Sequence, residues 1–93
     1  MSIQWLFDVI EDRKKNPSEK SYTVSLFKAG LPKIAQKVGE EGIEVVVAAL
    51  AQDDQRLIAE VADLTYHTLV LLSARGLSPA EVLAELEKRH RKP

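Results

Sequence analysis

Lys33-Ile34-Ala35-Gln36-Lys37-Val38-Gly39-Glu40-Glu41-Gly42-Ile43-Glu44 puts two lysines and three glutamates on a segment that otherwise reads as an apolar helix. Side chains three or four residues apart share one face of a helix. Lys33, Lys37, Glu40, Glu41 and Glu44 therefore form one stripe, beside an apolar sector of Ile34, Val38, Val45 and Ala49. Pro32 suits the first turn of this helix, which the pattern carries to about Gln52. Gly39 and Gly42 each disfavour it by roughly 1 kcal/mol relative to alanine. Their presence predicts a close approach by another helix or a ligand.

A second long helix follows, capped by Asp53 or Asp54 and running to Arg75, with Gly76 ending it. Leu57, Val61, Leu64, Thr68, Leu71 and Leu72 read as its apolar face, but Ile58, Ala62, Leu69 and Val70 spread around the circumference. Such a helix is buried on several sides, and a second copy of the chain would supply the missing cover. Outward from this pair, Ser2 starts a first helix with Ile3, Leu6, Phe7 and Ile10 at helical spacing. Asn16-Pro17 opens a polar loop. Ser21 caps a short helix, Tyr22 to Ala29, closed by Gly30. Ser78-Pro79-Ala80-Glu81 is a capping box for a last helix bearing Val82, Leu83 and Leu86. No segment alternates as a strand would. The expected fold is all-α, one domain over 1–93, a bundle of about five helices completed by dimerisation.

Composition narrows the function. A net charge of −1 gives no overall field for nucleic acid or anionic lipid. The absence of cysteine removes disulfides, thiolate metal sites and thiol nucleophiles. Residues 1–15 lack the continuous apolar core of a signal peptide, and the run Val45 to Ala51 is too short to span a bilayer. The expectation is a cytoplasmic protein without nucleic-acid or membrane partners.

The chemistry sits on the two long helices. Glu60, Asp63 and His67 line one face of the second, as Glu41 and Glu44 do on the first. Carboxylates at the border of a buried face are unfavourable unless paired, and Mg²⁺ is a hard cation that meets oxygen donors of this kind. The plainer reading makes them solvated flanks bridged to Lys33, Lys37 and Arg56. Lys33 and Lys37 either bind phosphate or pair with neighbouring acids. His67 is either packed and hydrogen-bonded or a ligand, and Asp63 in place of a Glu-x-x-His histidine argues against a di-iron site. The basic run Arg89-His90-Arg91-Lys92 reads more simply as a solvated complement to a helix C-terminus. There is no glycine-rich phosphate loop, H-E-x-x-H pair or serine nucleophile motif.

Lys37-Val38-Gly39-Glu40-Glu41-Gly42-Ile43-Glu44, followed by Glu60-Val61-Ala62-Asp63-Leu64-Thr65-Tyr66-His67, resembles the phosphoribosyl-ATP pyrophosphatases of histidine biosynthesis. The likeness extends to Ser21-Tyr22-Thr23, Ile10 to Lys14 and Ser78 to Arg89. Gly42 departs from it, since alanine is commoner there. The resemblance implies a stand-alone homodimer that uses Mg²⁺ to hydrolyse phosphoribosyl-ATP to phosphoribosyl-AMP and pyrophosphate. It implies Glu41, Glu44, Glu60 and Asp63 as metal ligands, and Lys37, Lys33 and Arg13 on the phosphates. Glu40 would orient or deprotonate the water, while Tyr22 and His67 would line the substrate pocket. A house-cleaning pyrophosphatase of non-standard nucleotides and a non-catalytic helical dimer remain as alternatives.

Overall fold

The computed structural model describes residues 1–91, and Lys92, the end of the basic run, lies outside them. Five helices follow in order: α1 Ile3–Lys15, α2 Tyr22–Ala29, α3 Leu31–Ala51, α4 Asp54–Ala74 and α5 Pro79–His90. No strand occurs among the described residues.

The helix boundaries follow local chemistry. Side chains of Ser2, Ser21 and Asp53 accept from the backbone N–H of Trp5, Val24 and Arg56, satisfying donors that have no partner within the helix. Glu81 reaches back to the Ser78 N–H at 3.0 Å, and Pro79 occupies the first turn of α5. Gly30 and Gly76 sit at φ +96° and +72°, left-handed positions that end α2 and α4 at little steric cost to glycine.

The core is small. Phe7 and Ile10 of α1, Leu26 of α2, Ile34 of α3, and Leu69 and Val70 of α4 form one cluster, with Leu6, Phe27, Tyr66, Leu71 and Leu72 packed at its edge. α3 and α4 form the most extensive contact, an antiparallel hairpin turning at Gln52-Asp53. α1 is tied to the end of α4 by a polar clasp. Lys14 Nζ donates to the Ser73 carbonyl at 2.9 Å, where a cation complements the helix C-terminus. The Ser73 hydroxyl donates to Glu11, which also pairs with Lys14 at 3.3 Å.

This clasp makes stability depend on pH. The Ser73 hydrogen bond and then Lys14 hold the Glu11 carboxyl below its ordinary 4.5, against the opposing effect of burial. A depressed acid pKa contributes stability that is complete above the unfolded value and lost as pH falls through the folded one. Glu11→Gln should therefore flatten the acid limb of the stability curve, read by urea denaturation between about pH 3 and 6.

Two expectations about packing change. The buried face of α4 runs through Glu60, His67, Leu69, Val70 and Ser73, while Val61 is 43 % and Ile58 62 % exposed. Ala48, not Ala49, is the buried alanine of α3. Secondly, an added Cβ at Gly39 or Gly42 would meet nothing within 4 Å, so within one chain neither glycine marks a close approach. Gly42→Ala should then stabilise the protein by about 1 kcal/mol, a rise of roughly 4–8 °C in Tm for a domain of this size.

By length and composition alone, α4 is long and apolar enough to cross a membrane, which the short run Val45 to Ala51 is not. Glu60, Asp63 and His67 on it, and its packing against α3, fit instead the central helix of a bundle. The bundle is open. An accessible surface of 6540 Å² exceeds the ~5400 Å² expected for a compact chain of 10.4 kDa. The radius of gyration, 14.6 Å, likewise exceeds an expected ~12 Å. Large apolar side chains are part of the exposed surface. Ile43, Val46, Val47 and Leu50 lie bare on the outer face of α3, and Val82, Leu83 and Leu86 on α5. Between α1, α4 and α5 lies a groove of about 430 Å³ lined by Ile3, Leu64, Leu72, Val82 and Leu83 among others.

Candidate functional site

The α3–α4 hairpin sets Glu41, one turn after Lys37, opposite Glu60 and Asp63. Oxygens of Glu41, Glu60 and Asp63 all lie within 4.8 Å of one another. Glu41 and Glu60 are 6 % and 4 % exposed, and Asp63 is at the surface. Each buried acid keeps one oxygen with no hydrogen-bond partner, Glu41 Oε2 and Glu60 Oε1.

That arrangement is unfavourable unaided. Two unit charges about 5 Å apart repel by roughly 3 kcal/mol at an effective dielectric constant near 20, and a buried acceptor without a donor costs about 1–3 kcal/mol more. Carboxylates converging from two helices, two of them buried with an oxygen unpartnered, form a hard-oxygen donor set, which suits Mg²⁺ or a similar divalent cation. The guanidinium of Arg56 pairs with the second oxygen of Glu60.

His67 lies beneath the acids, 5 % exposed. Its Nδ1 is 2.8 Å from the Asp63 backbone oxygen and its Nε2 2.9 Å from the Tyr22 hydroxyl. A carbonyl can only accept, so Nδ1 carries the proton and Nε2 accepts from the Tyr22 O–H. Both ring nitrogens are thereby occupied, with Glu41 Oε1 a more distant 3.9 Å from Nδ1. His67 thus links Tyr22 to the backbone of Asp63, and no ring nitrogen points free towards a metal. Tyr66 completes the cluster. Its ring stacks on Tyr22 at 6.2 Å and meets His67 edge-on at 5.1 Å, and its hydroxyl bonds to Thr23. Burial, partly offset by the Thr23 hydrogen bond, raises the Tyr66 phenol above its ordinary pKa.

The remaining sequence candidates divide. Lys37 pairs with Glu40 at 3.4 Å, not with Glu41, and Gln36 donates to Glu40 at 2.8 Å. The Gln36 hydrogen bond and Lys37 keep the Glu40 carboxyl below its ordinary pKa. The Tyr22 phenol, followed by Glu40 and Glu41, raises the Lys37 ammonium above its own, against burial. Lys33 is exposed one turn before Lys37 on the same helix. Arg13 is exposed and paired with Asp12 at 3.7 Å. Glu44 is exposed and does not join the three clustered carboxylates. Arg89 and Arg91 form pairs with Glu85 and Glu87 one turn back, consistent with a solvated helix end. Sequence reasoning passed over Tyr66, which is flagged only by its place beside His67, and saw in Arg56 a generic partner.

Known proteins resemble this chain over nearly its whole length. A family model described as phosphoribosyl-ATP pyrophosphohydrolase matches residues 4–90. A phosphoribosyl-ATP pyrophosphatase of Lacticaseibacillus casei is 52 % identical over 91 residues, 98 % of this chain and 83 % of that protein. One from Pyrobaculum neutrophilum is 52 % identical over 89 residues, covering 96 % and 95 %. One from Sulfurisphaera tokodaii is 50 % identical over 87 residues, covering 94 % and 93 %.

Proposed function

Because this chain belongs to the phosphoribosyl-ATP pyrophosphohydrolase family, we propose that it hydrolyses phosphoribosyl-ATP to phosphoribosyl-AMP and pyrophosphate, an early step of histidine biosynthesis. The observation that carries the reading is the pair of buried, unpartnered carboxylate oxygens on Glu41 and Glu60 beside Asp63. These three residues would hold Mg²⁺, with Glu44, one turn beyond Glu41 on the same helix, as the fourth proposed ligand. Such an ion neutralises polyphosphate charge and activates water as a Lewis acid.

The chain's own groups do the rest. Lys37, with Lys33 one turn before it, presents ammonium donors to the substrate phosphates as point charges, and Arg13 is proposed to extend that positive edge. Glu40 is held ionised by Gln36 and Lys37, which suits a hydrogen-bond acceptor that orients the attacking water. A base that must retain a proton near neutral pH would have a higher pKa. His67 fixes the Tyr22 hydroxyl, and Tyr22, half exposed, offers ring and hydroxyl to the substrate.

The protein is proposed to be a cytoplasmic homodimer with neither nucleic acid nor membrane as partner. The surplus surface of about 1100 Å² per chain comfortably exceeds the ~800 Å² a partner buries in a stable interface, and the bare residues of α3 and α5 are of the type such interfaces bury.

The assay is release of pyrophosphate from phosphoribosyl-ATP against a panel of standard and non-standard nucleoside triphosphates. A marked preference for phosphoribosyl-ATP is expected, abolished by a chelator and restored by Mg²⁺. Equal turnover across the panel would instead identify a house-cleaning pyrophosphatase.

A further inference from the structure

Arg56 stands where a helix least favours a cation. It lies in the first turn of α4, three residues after the Asp53 cap, at the positive end of the macrodipole. It also precedes its acid by four residues, the less favourable order for a pair along a helix. Yet its guanidinium is drawn onto Glu60, which is almost wholly buried, while 57 % of the Arg56 side chain remains in water. The pair is therefore lopsided. Glu60 relies on Arg56, but Arg56 can exchange Glu60 for solvent with little loss. Glu60 Oε1 meanwhile has no partner, and one oxygen of Glu60 lies within 4.8 Å of oxygens of Glu41 and Asp63.

We infer that Arg56 competes with a divalent cation for the Glu60 carboxylate: it is the counter-ion of the acidic cluster, and cation loading releases it to solvent. This rests on the proposal that Glu41, Glu60 and Asp63 form a cation site. Two positive groups on one carboxylate repel each other, and the exposed one yields. The affinity for the cation is thereby set lower than the three carboxylates alone would give. The released guanidinium stands at the mouth of the site, where a phosphate group is a suitable new partner.

The test uses the full chain, stripped of metal, titrated with Mn²⁺ and followed by electron paramagnetic resonance. Arg56→Gln should bind Mn²⁺ roughly fivefold or more tightly than wild type, as loss of a nearby like charge requires. Its Tm without metal should fall, whereas Arg56→Lys should stay within about twofold of wild type in affinity. An orienting role for Arg56 would instead weaken binding in Arg56→Gln, and a plain surface ion pair would leave it unchanged. Either result overturns the inference. A second measurement needs only the wild-type fold: the Arg56 side-chain NMR resonance should move to the position of a free arginine as Mg²⁺ saturates. A resonance that stays at its paired position contradicts release. A wild type that folds but binds no Mn²⁺ overturns the cation site itself, an outcome distinct from equal binding by both proteins.

Discussion

Glu41→Gln is expected to lower turnover on phosphoribosyl-ATP by a factor on the order of 10³ or more while raising thermal stability in the absence of metal. The two effects have opposite signs for one reason. Glu41 Oε2 is buried without a donor, and one oxygen of Glu41 lies within 4.8 Å of oxygens of Glu60 and Asp63. Neutralising it removes repulsion within the cluster and forfeits no hydrogen bond made by that oxygen, so the fold gains. A cation loses a charged donor at the same time. Structural glutamates give the reverse pattern, because removing a charge from a satisfied pair destabilises. Helical circular dichroism, Tm and pyrophosphate release on the same preparation check fold, stability and turnover together. Loss of the fold in Glu41→Gln would assign this residue a structural role. Glu44→Gln should also abolish turnover while the fold survives, since Glu44 is exposed and unclustered but proposed as the fourth ligand.

In solution the wild-type protein should have twice the 10.4 kDa mass of the chain, and Val46→Glu should convert it to a monomer of much lower Tm. Val46 sits amid Ile43, Val47 and Leu50 on the outer face of α3, all exposed in the isolated chain. Burying an aliphatic side chain of this kind is worth about 1.5–3 kcal/mol, and burying a carboxylate without a partner costs several. In a symmetric dimer the substitution enters twice. Analytical ultracentrifugation at micromolar concentration decides the matter. A wild type that sediments as a monomer would mean that the open groove and the bare α3 face have some other purpose.

The helices were legible because their ends carry chemistry that acts locally. Ser2, Ser21, Asp53, Pro32, Pro79, Gly30 and Gly76 mark boundaries through hydrogen bonds or backbone angles a few residues away. The pairing of Glu41 with Glu60 and Asp63 was legible too, since helical spacing puts each acid at the edge of an apolar face and a short turn brings α3 against α4. The buried face of α4 was not. Its apolar residues cover most of the circumference, so periodicity selects no side, and the buried side includes Glu60, His67 and Ser73, which hydropathy places outside. Glu44 shares a stripe with Glu41, but a stripe about a third of the circumference wide holds buried and exposed positions alike. The Tyr22–His67 hydrogen bond joins residues 45 apart, and no local pattern announces it.

Glu41, Glu60 and Asp63 are proposed to grip one divalent cation between α3 and α4. A crystal structure of the protein with Mn²⁺ and a non-hydrolysable triphosphate tests it most directly, through the anomalous signal of the metal. That signal is expected between the three carboxylates, with the triphosphate towards Lys37. A signal elsewhere on the molecule, or none at saturating Mn²⁺, would contradict it.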